Sequence, residues 1–378
     1  MRESDYKSQQ PIFDIGNDLS ECGTTEKKIK RALVSYLTLP FRLSPDDPRN
    51  LQFSNIGIAR SIVKALNHLG YTVDLVDWTN QRFLPTRKYE LFLGHGGLNF
   101  KRICCSLRGD PTIIYLSTGS YWKFHNKKTL ARTKDLCRRR KTKIFPDRLV
   151  SRAEEWANRK ADVIICIGNE ETKKTYHKFP RVFNLNNAAY SDTHFLQKEK
   201  NYSEARNHFL FFPGGGNIHK GLDLLLEAFI QTEAHLYICQ DIREDFYRIY
   251  RRELENFSNI HRIGWIPVRS EIFYSLIEKC AFVINPSCCE GQPGGVIECM
   301  HQGLIPIVSK ESHLDVGDAG LVLKETSVAE IVRTIGDLSR MEPEVCKVMS
   351  QKAYNLAGRE FSEEKFLTNL KKIILSFL

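Results

Sequence analysis

The sequence lacks any run of eighteen apolar residues, so no segment reads as a membrane-spanning helix. Its first 28 residues, MRESDYKSQQPIFDIGNDLSECGTTEKK, are polar and have no apolar signal core, so the chain reads as cytoplasmic with a flexible leader at 1–28. Among eleven cysteines there is no Cys-x-x-Cys, and the adjacent pairs Cys104-Cys105 and Cys288-Cys289 cannot make an ordinary zinc site. Most of them lie in apolar runs, as reduced core thiols do, so neither a disulfide nor a metal site is expected. The Gly-Lys-Ser/Thr of a P-loop is also missing, which removes one common phosphate-binding fingerprint.

Acid is absent where base is dense. Between Lys123 and Lys143 ten Lys and Arg meet one acid, Asp135, so this segment carries +9 of the formal +10. A solvated helix face is the plain reading of such a run. The preferred one is peripheral contact of residues 123–143 with an anionic membrane at its inner face, or with an anionic acceptor. Nucleic acid is not expected, because Tyr121, Trp122 and Phe124 sit only at one end and no binding motif accompanies them.

What is present is a pattern of apolar runs and helical periods that occurs twice. A chain of 378 residues with 42% apolar and 11% aromatic content can fill two cores and is long for one. Runs at 29–37, 71–76, 90–93, 112–116, 161–167 and 182–185 read as strands with helical stretches at 55–69, 127–140 and 148–160. After a polar linker at 191–206 the pattern restarts, with strands at 208–212, 234–239, 260–263, 280–284, 304–308 and 317–323. Helices at 327–340, 343–359 and 362–378 close the chain. The fold class is α/β: a Rossmann-like N-terminal domain at 29–190, a Rossmann-like C-terminal domain at 207–360, and a last helix at 361–378.

The densest stretch of candidate chemistry runs from Asn285 to Val308, NPSCCEGQPGGVIECMHQGLIPIV. A buried strand ends in Asn285-Pro286-Ser287, a loop with Gly291, Gly294 and Gly295 follows, and a helix leads to a second strand. Such a loop places backbone N–H groups beside a strand's carboxyl end, where ligands of open sheets bind. Glu290 and, eight residues on, Glu298 can face the same mouth as acceptors for hydroxyl groups. N–H donors for phosphate together with carboxylates for hydroxyls suit a sugar nucleotide. The equivalent loop of the second domain's first strand, Pro213-Gly214-Gly215-Gly216-Asn217-Ile218-His219-Lys220-Gly221, has three glycines to admit a ligand and a lysine for a diphosphate.

These residues resemble the donor site of retaining glycosyltransferases with the GT-B fold, the large family-four or group 1 type. Pro286-Ser287, Glu290 and Glu298, the small Cys299 and Gly303-Leu304-Ile305-Pro306 follow the family's motif. Lys220-Gly221 matches its second basic position, while the family's Arg falls on Gly215. The resemblance implies two domains facing a cleft, with the last helix crossing back onto the N-terminal domain. It implies sugar transfer from a nucleoside-diphosphate sugar to a glycan, lipid-linked or polysaccharide acceptor, with retention and without a cofactor. By the same resemblance Glu290 contacts the transferred sugar, Glu298 the ribose, and the loop with Trp265 and Ile266 lies under the nucleobase. Gly214, Gly215, Gly216, Gly291, Gly294 and Gly295 complete the donor site, with Lys220 at the diphosphate. Asn55 and Gly57 stand at the family's N-terminal glycine loop, and Thr118 where its histidine usually stands. These three are assigned to the acceptor side, and His95, one strand earlier, takes the histidine's place. No Asp-x-Asp occurs, against the metal-dependent single-domain transferases. A sugar-nucleotide epimerase on the same fold, and a non-catalytic sugar-nucleotide or polysaccharide binder, remain open.

Overall fold

The computed structural model describes residues 10–16, 30–52, 54–190, 195 and 199–378. Most of the leader at 1–28, and much of the linker at 191–206, fall outside these residues. The described parts form two sheets. The first holds β1 (Ile12–Ile15), β2 (Lys30–Tyr36), β3 (Tyr71–Asp77), β4 (Leu91–His95), β5 (Thr112–Ser117), β6 (Val163–Ile167) and β7 (Val182–Leu185). Its order is β1-β3-β2-β4-β5-β6-β7, and every pairing is parallel except that of β1 with β3. Strands such as β5 and β6 are covered on both faces, which is why they read as nearly unbroken apolar runs.

The second sheet has β8 (His208–Phe211), β9 (His235–Ile238), β10 (Ile260–Arg262), β11 (Phe282–Asn285), β12 (Ile305–Ser309) and β13 (Leu321–Leu323), all parallel, in the order β10-β9-β8-β11-β12-β13. Among the parallel strands each order reverses direction once, between β2 and β4 and between β8 and β11. Open α/β sheets bind ligands at that crevice, outside the strands' carboxyl ends. This two-domain Rossmann-like arrangement is the GT-B architecture.

The last helix, Glu363–Leu375, crosses back as expected. Its Phe366, Leu370 and Ile374 enter the N-terminal core with Ile58, Ile62 and Leu66 of the helix Ser54–His68. The crossing is fixed where the Ala189 N–H donates to the Phe361 carbonyl at 2.9 Å.

Three local expectations change. Residues 12–15 of the leader form the antiparallel edge strand β1, too short for its period to register, with the Asp14 N–H donating to Asp74 at 2.9 Å. The helix expected from 127 begins at Trp122, and the one expected from 148 begins only at Glu154. The basic run is not a free surface patch. The helix Trp122–Arg140 lies across the domain junction, and its Leu136 is part of the C-terminal core. Arg139 pairs with the fully buried Asp223 and with Glu227, Arg140 reaches Glu253 at 2.7 Å, and Arg132 donates to the Pro286 carbonyl at 3.2 Å. With Lys128, which pairs with Glu311 at 3.2 Å, four of the ten cations thus serve the other domain. No helix among the described residues is long and apolar enough to cross a membrane.

Candidate active site

The glycine turn leaves β8 and the Glu290 loop leaves β11, so both emerge at the switch point of the second sheet. There the ammonium of Lys220 meets the carboxylate of Glu290, with the two residues only 4% and 8% exposed. The Ser287 hydroxyl donates to the same carboxylate at 2.7 Å, and His219 Nε2 lies 3.6 Å away. Burial alone would raise the Glu290 pKa, but Lys220 and His219 outweigh it and hold the group ionised, well below the usual carboxylate range.

The other half of the chain closes over this pair. Thr129 meets His219 Nδ1 at 3.0 Å, and His125 stacks on the His219 ring with centroids 4.7 Å apart. Asp147, in the irregular stretch before Glu154, accepts from the Ile218 N–H at 2.7 Å and the His219 N–H at 3.2 Å. Arg148 donates to the Gly215 carbonyl at 3.1 Å. The position where the resemblance lacks an arginine therefore has one beside it, contributed by the N-terminal half. Gly214 and Gly216 have φ of 74° and 98°, left-handed values that keep the turn open to a close neighbour.

Gly291 touches the N-terminal domain. A Cβ there would stand 2.4 Å from the Thr118 carbonyl oxygen and 2.6 Å from that of Ile167, so only glycine allows the approach. A Cβ on Gly295 would meet the Phe212 carbonyl oxygen at 2.1 Å, the nearest backbone of the first loop.

Glu298 is 3% exposed and paired with Arg269, whose guanidinium also donates to the Tyr190 carbonyl at 3.0 Å. A ribose at this carboxylate would share it with that arginine. Trp265 is half-exposed and Ile266 buried on the adjoining loop.

Of the residues expected on the acceptor side, Asn55 and Thr118 line one cavity of about 350 Å³ with His95, Tyr36 and Trp78 at the switch point of the first sheet, and Gly294, expected at the donor site, lines it too. His95 Nδ1 lies 3.0 Å from the Leu116 carbonyl, and burial lowers its pKa, so the ring is neutral with Nδ1–H donating and a lone pair on Nε2. Gly57 is not brought to this cavity. A Cβ at Gly57 would fall 1.6 Å from Glu363 Oε1, so this glycine serves the packing of the last helix and not the cleft.

Sequence reasoning gave no role to His219, Ser287, Asp147, Arg148 or Arg269. His219 and Ser287 lie inside the two motifs and their neighbours could have flagged them. Asp147, Arg148 and Arg269 sit far off in sequence and carry no local pattern. Among the described residues no group of three His, Cys, Asp or Glu is placed to hold a metal ion.

Fold and site together define a two-domain, GT-B type α/β protein with a lysine–glutamate centre at the second switch point. Residues 207–340 match the family model described as glycosyl transferases group 1. A curated relative, an uncharacterized glycosyltransferase of Methanocaldococcus jannaschii, is 25% identical over 227 residues, spanning 58% of this chain and 61% of the relative. Sucrose-phosphate synthase of Thermosynechococcus elongatus superimposes with a TM-score of 0.64 at 14% identity, covering 92% of this chain and 99% of that one. Anabaena HepE in complex with UDP and glucose gives 0.60 at 12% identity, covering 93% and 100%. WaaG, a glycosyltransferase involved in lipopolysaccharide biosynthesis, gives 0.57 at 12% identity, covering 91% and 99%. At these identities the structural likenesses establish the fold.

Proposed function

We propose that the chain is a group 1 glycosyltransferase that moves a hexosyl group from a nucleoside-diphosphate sugar to a glycan, lipid-linked or polysaccharide acceptor, with retention and without a metal ion. The observation that carries this reading is the buried Lys220–Glu290 pair, held at the second switch point within the segment that matches the group 1 model.

The chemistry asks for stabilisation of a departing diphosphate while the sugar carbon meets the acceptor oxygen. One C–O bond breaks with its electron pair passing to the diphosphate as another forms to the acceptor. Lys220, Arg148 and the N–H groups of the glycine turn supply fixed positive charge where negative charge develops. Ionised Glu290 orients the sugar hydroxyls, Glu298 the ribose, and the loop bearing Trp265 and Ile266 supports the base. His95 Nε2 faces the acceptor cavity as a proton acceptor, with Asn55 and Thr118 holding hydroxyls. Domain contact at Gly291 sets the two substrates against each other.

The test is thermal stabilisation by a panel of nucleoside diphosphates, beginning with UDP because HepE has been seen with it. A ligand at about 100 times its Kd stabilises by roughly 2.7 kcal/mol. A shift for one nucleotide that is lost in Glu298→Ala, followed by nucleoside diphosphate release on adding acceptor, is the expected result. No shift with any of them overturns the donor site. Isomerisation of the sugar without acceptor would make the chain an epimerase, and binding without turnover a binder.

A further inference from the structure

Outside the Lys220–Glu290 centre, six lysines line a cavity of about 680 Å³ at the domain junction. Lys123, Lys127 and Lys128 reach it from the helix Trp122–Arg140, Lys174 and Lys178 from the segment after β6, and Lys310 from the loop after β12. Two carboxylates of the lining pair with lysines, Glu171 with Lys174 at 2.5 Å and Glu311 with Lys128 at 3.2 Å, and Glu155 acts on Lys123 from beside Tyr121. Among the described residues no carboxylate comes within ion-pair distance of Lys127, Lys178 or Lys310. Like charges gathered in a concavity repel one another and raise the local potential, so the arrangement favours an anion.

The rest of the lining is not that of a simple phosphate hole. Phe124 and the buried Tyr121 present ring surface, with the Lys128 ammonium 5.5 Å from the Phe124 centroid. Rings beside cations suit the apolar face of a pyranose that bears an acidic group. The volume lies in the range of small-ligand sites and is concave, unlike a surface that lies flat on lipid.

The cavity also adjoins the reacting centre. His313, one of its walls, lies with Nδ1 2.9 Å from the Glu290 carbonyl oxygen, and the Glu311 carbonyl accepts the Glu290 N–H at 2.9 Å. An occupant sits directly behind the loop that carries Glu290.

We propose that this cavity binds an anionic saccharide, a sugar chain bearing acidic groups, at a site apart from the His95 cavity. The binding is measured without turnover. Calorimetric titration of the full chain with tetragalacturonate, at low and moderate salt, is compared with maltotetraose. The expected result is salt-sensitive binding of tetragalacturonate, at least tenfold tighter than maltotetraose. Lys178→Glu/Lys310→Glu loses at least tenfold, and the milder Lys178→Gln/Lys310→Gln loses affinity in the same direction. Lys134→Glu/Lys141→Glu, reversed on the same helix and at its C-terminal cap outside the cavity, keeps it. Equal binding of the neutral sugar, full affinity in the cavity variants, or binding only to phosphatidylglycerol vesicles overturns the proposal. A nucleotide-induced shift that persists when tetragalacturonate fails to bind rejects this inference alone. Loss of the nucleotide shift with tetragalacturonate still bound rejects the donor site alone.

Discussion

Lys220 and Glu290 face each other across two loops that leave different strands, β8 and β11, so their pairing ties the crevice between those strands together. Glu290→Gln keeps an acceptor for the Ser287 hydroxyl but leaves Lys220 buried with its counter-ion gone. Breaking such a pair costs roughly 3–5 kcal/mol. Urea denaturation is expected to report a loss of that order. The double variant Lys220→Met/Glu290→Gln is expected to lose clearly less than the sum of the two single variants. Additive losses would mean that the two groups do not interact.

The stacked His125 contributes to the pH dependence, beside His208, whose pKa burial also lowers to about 4. Burial, reinforced by the neighbouring His219, lowers the His125 pKa from 6.5 to about 4. The unfolded chain therefore takes up a proton near pH 6.5 that the folded chain refuses until about pH 4. Stability is expected to fall as pH drops through that window, by roughly 2–3 kcal/mol from this group. His125→Gln should flatten the slope of Tm against pH between those limits. An unchanged slope would assign the acid sensitivity elsewhere.

Arg139 and Lys134 share a helix and a charge but not a role. Arg139→Ala deprives the fully buried Asp223 of its closest cation, with Arg132 4.0 Å away as the remaining one. A loss of about 3 kcal/mol follows from an under-compensated buried charge. Lys134 is exposed, and Lys134→Ala is expected to stay within about 0.5 kcal/mol of wild type. Equal melting temperatures for the two variants would contradict the junction described above.

Two glycines separate packing against a movable side chain from packing against backbone. In Gly57→Ala the new methyl meets the tip of Glu363, which can rotate away, so the expected cost is under about 1 kcal/mol. In Gly291→Ala it meets the carbonyl oxygens of Thr118 and Ile167, which cannot, and the domains must part. A cost of about 1–3 kcal/mol or more is expected, with a larger radius of gyration in solution scattering. An unaltered radius would show that the junction yields locally.

Asp147 holds the N–H groups of Ile218 and His219 that a donor phosphate would use on the transferase reading. Asp147→Ala is expected to lower the Kd for the nucleotide severalfold while lowering the Tm of the free protein. Weaker nucleotide binding would instead make Asp147 part of the binding surface.

Both Rossmann-like halves were legible because buried parallel strands leave apolar runs and each domain restarts the same alternation. The glycine turn, Lys220 and Glu290 were legible because they lie within short motifs, and the structure does bring them together. Gly57 misled because a glycine at a helix entrance looks the same whether it faces a ligand or another helix. The basic run misled for a related reason: composition records ten cations but not that Arg132, Arg139 and Arg140 turn towards Pro286, Asp223 and Glu253. Asp147, Arg148 and Arg269 reach the site through long-range packing, which leaves no local trace.

The helix Trp122–Arg140 also limits how the protein can be divided. A fragment starting at residue 207 would keep Asp223, Glu227 and Glu253 but lose the guanidinium groups that neutralise them, along with Leu136 from the core. The segment that matches a family model is therefore not a unit that can be excised. Chimaeras that exchange C-terminal halves between relatives need their junctions drawn around this helix rather than between residues 190 and 207.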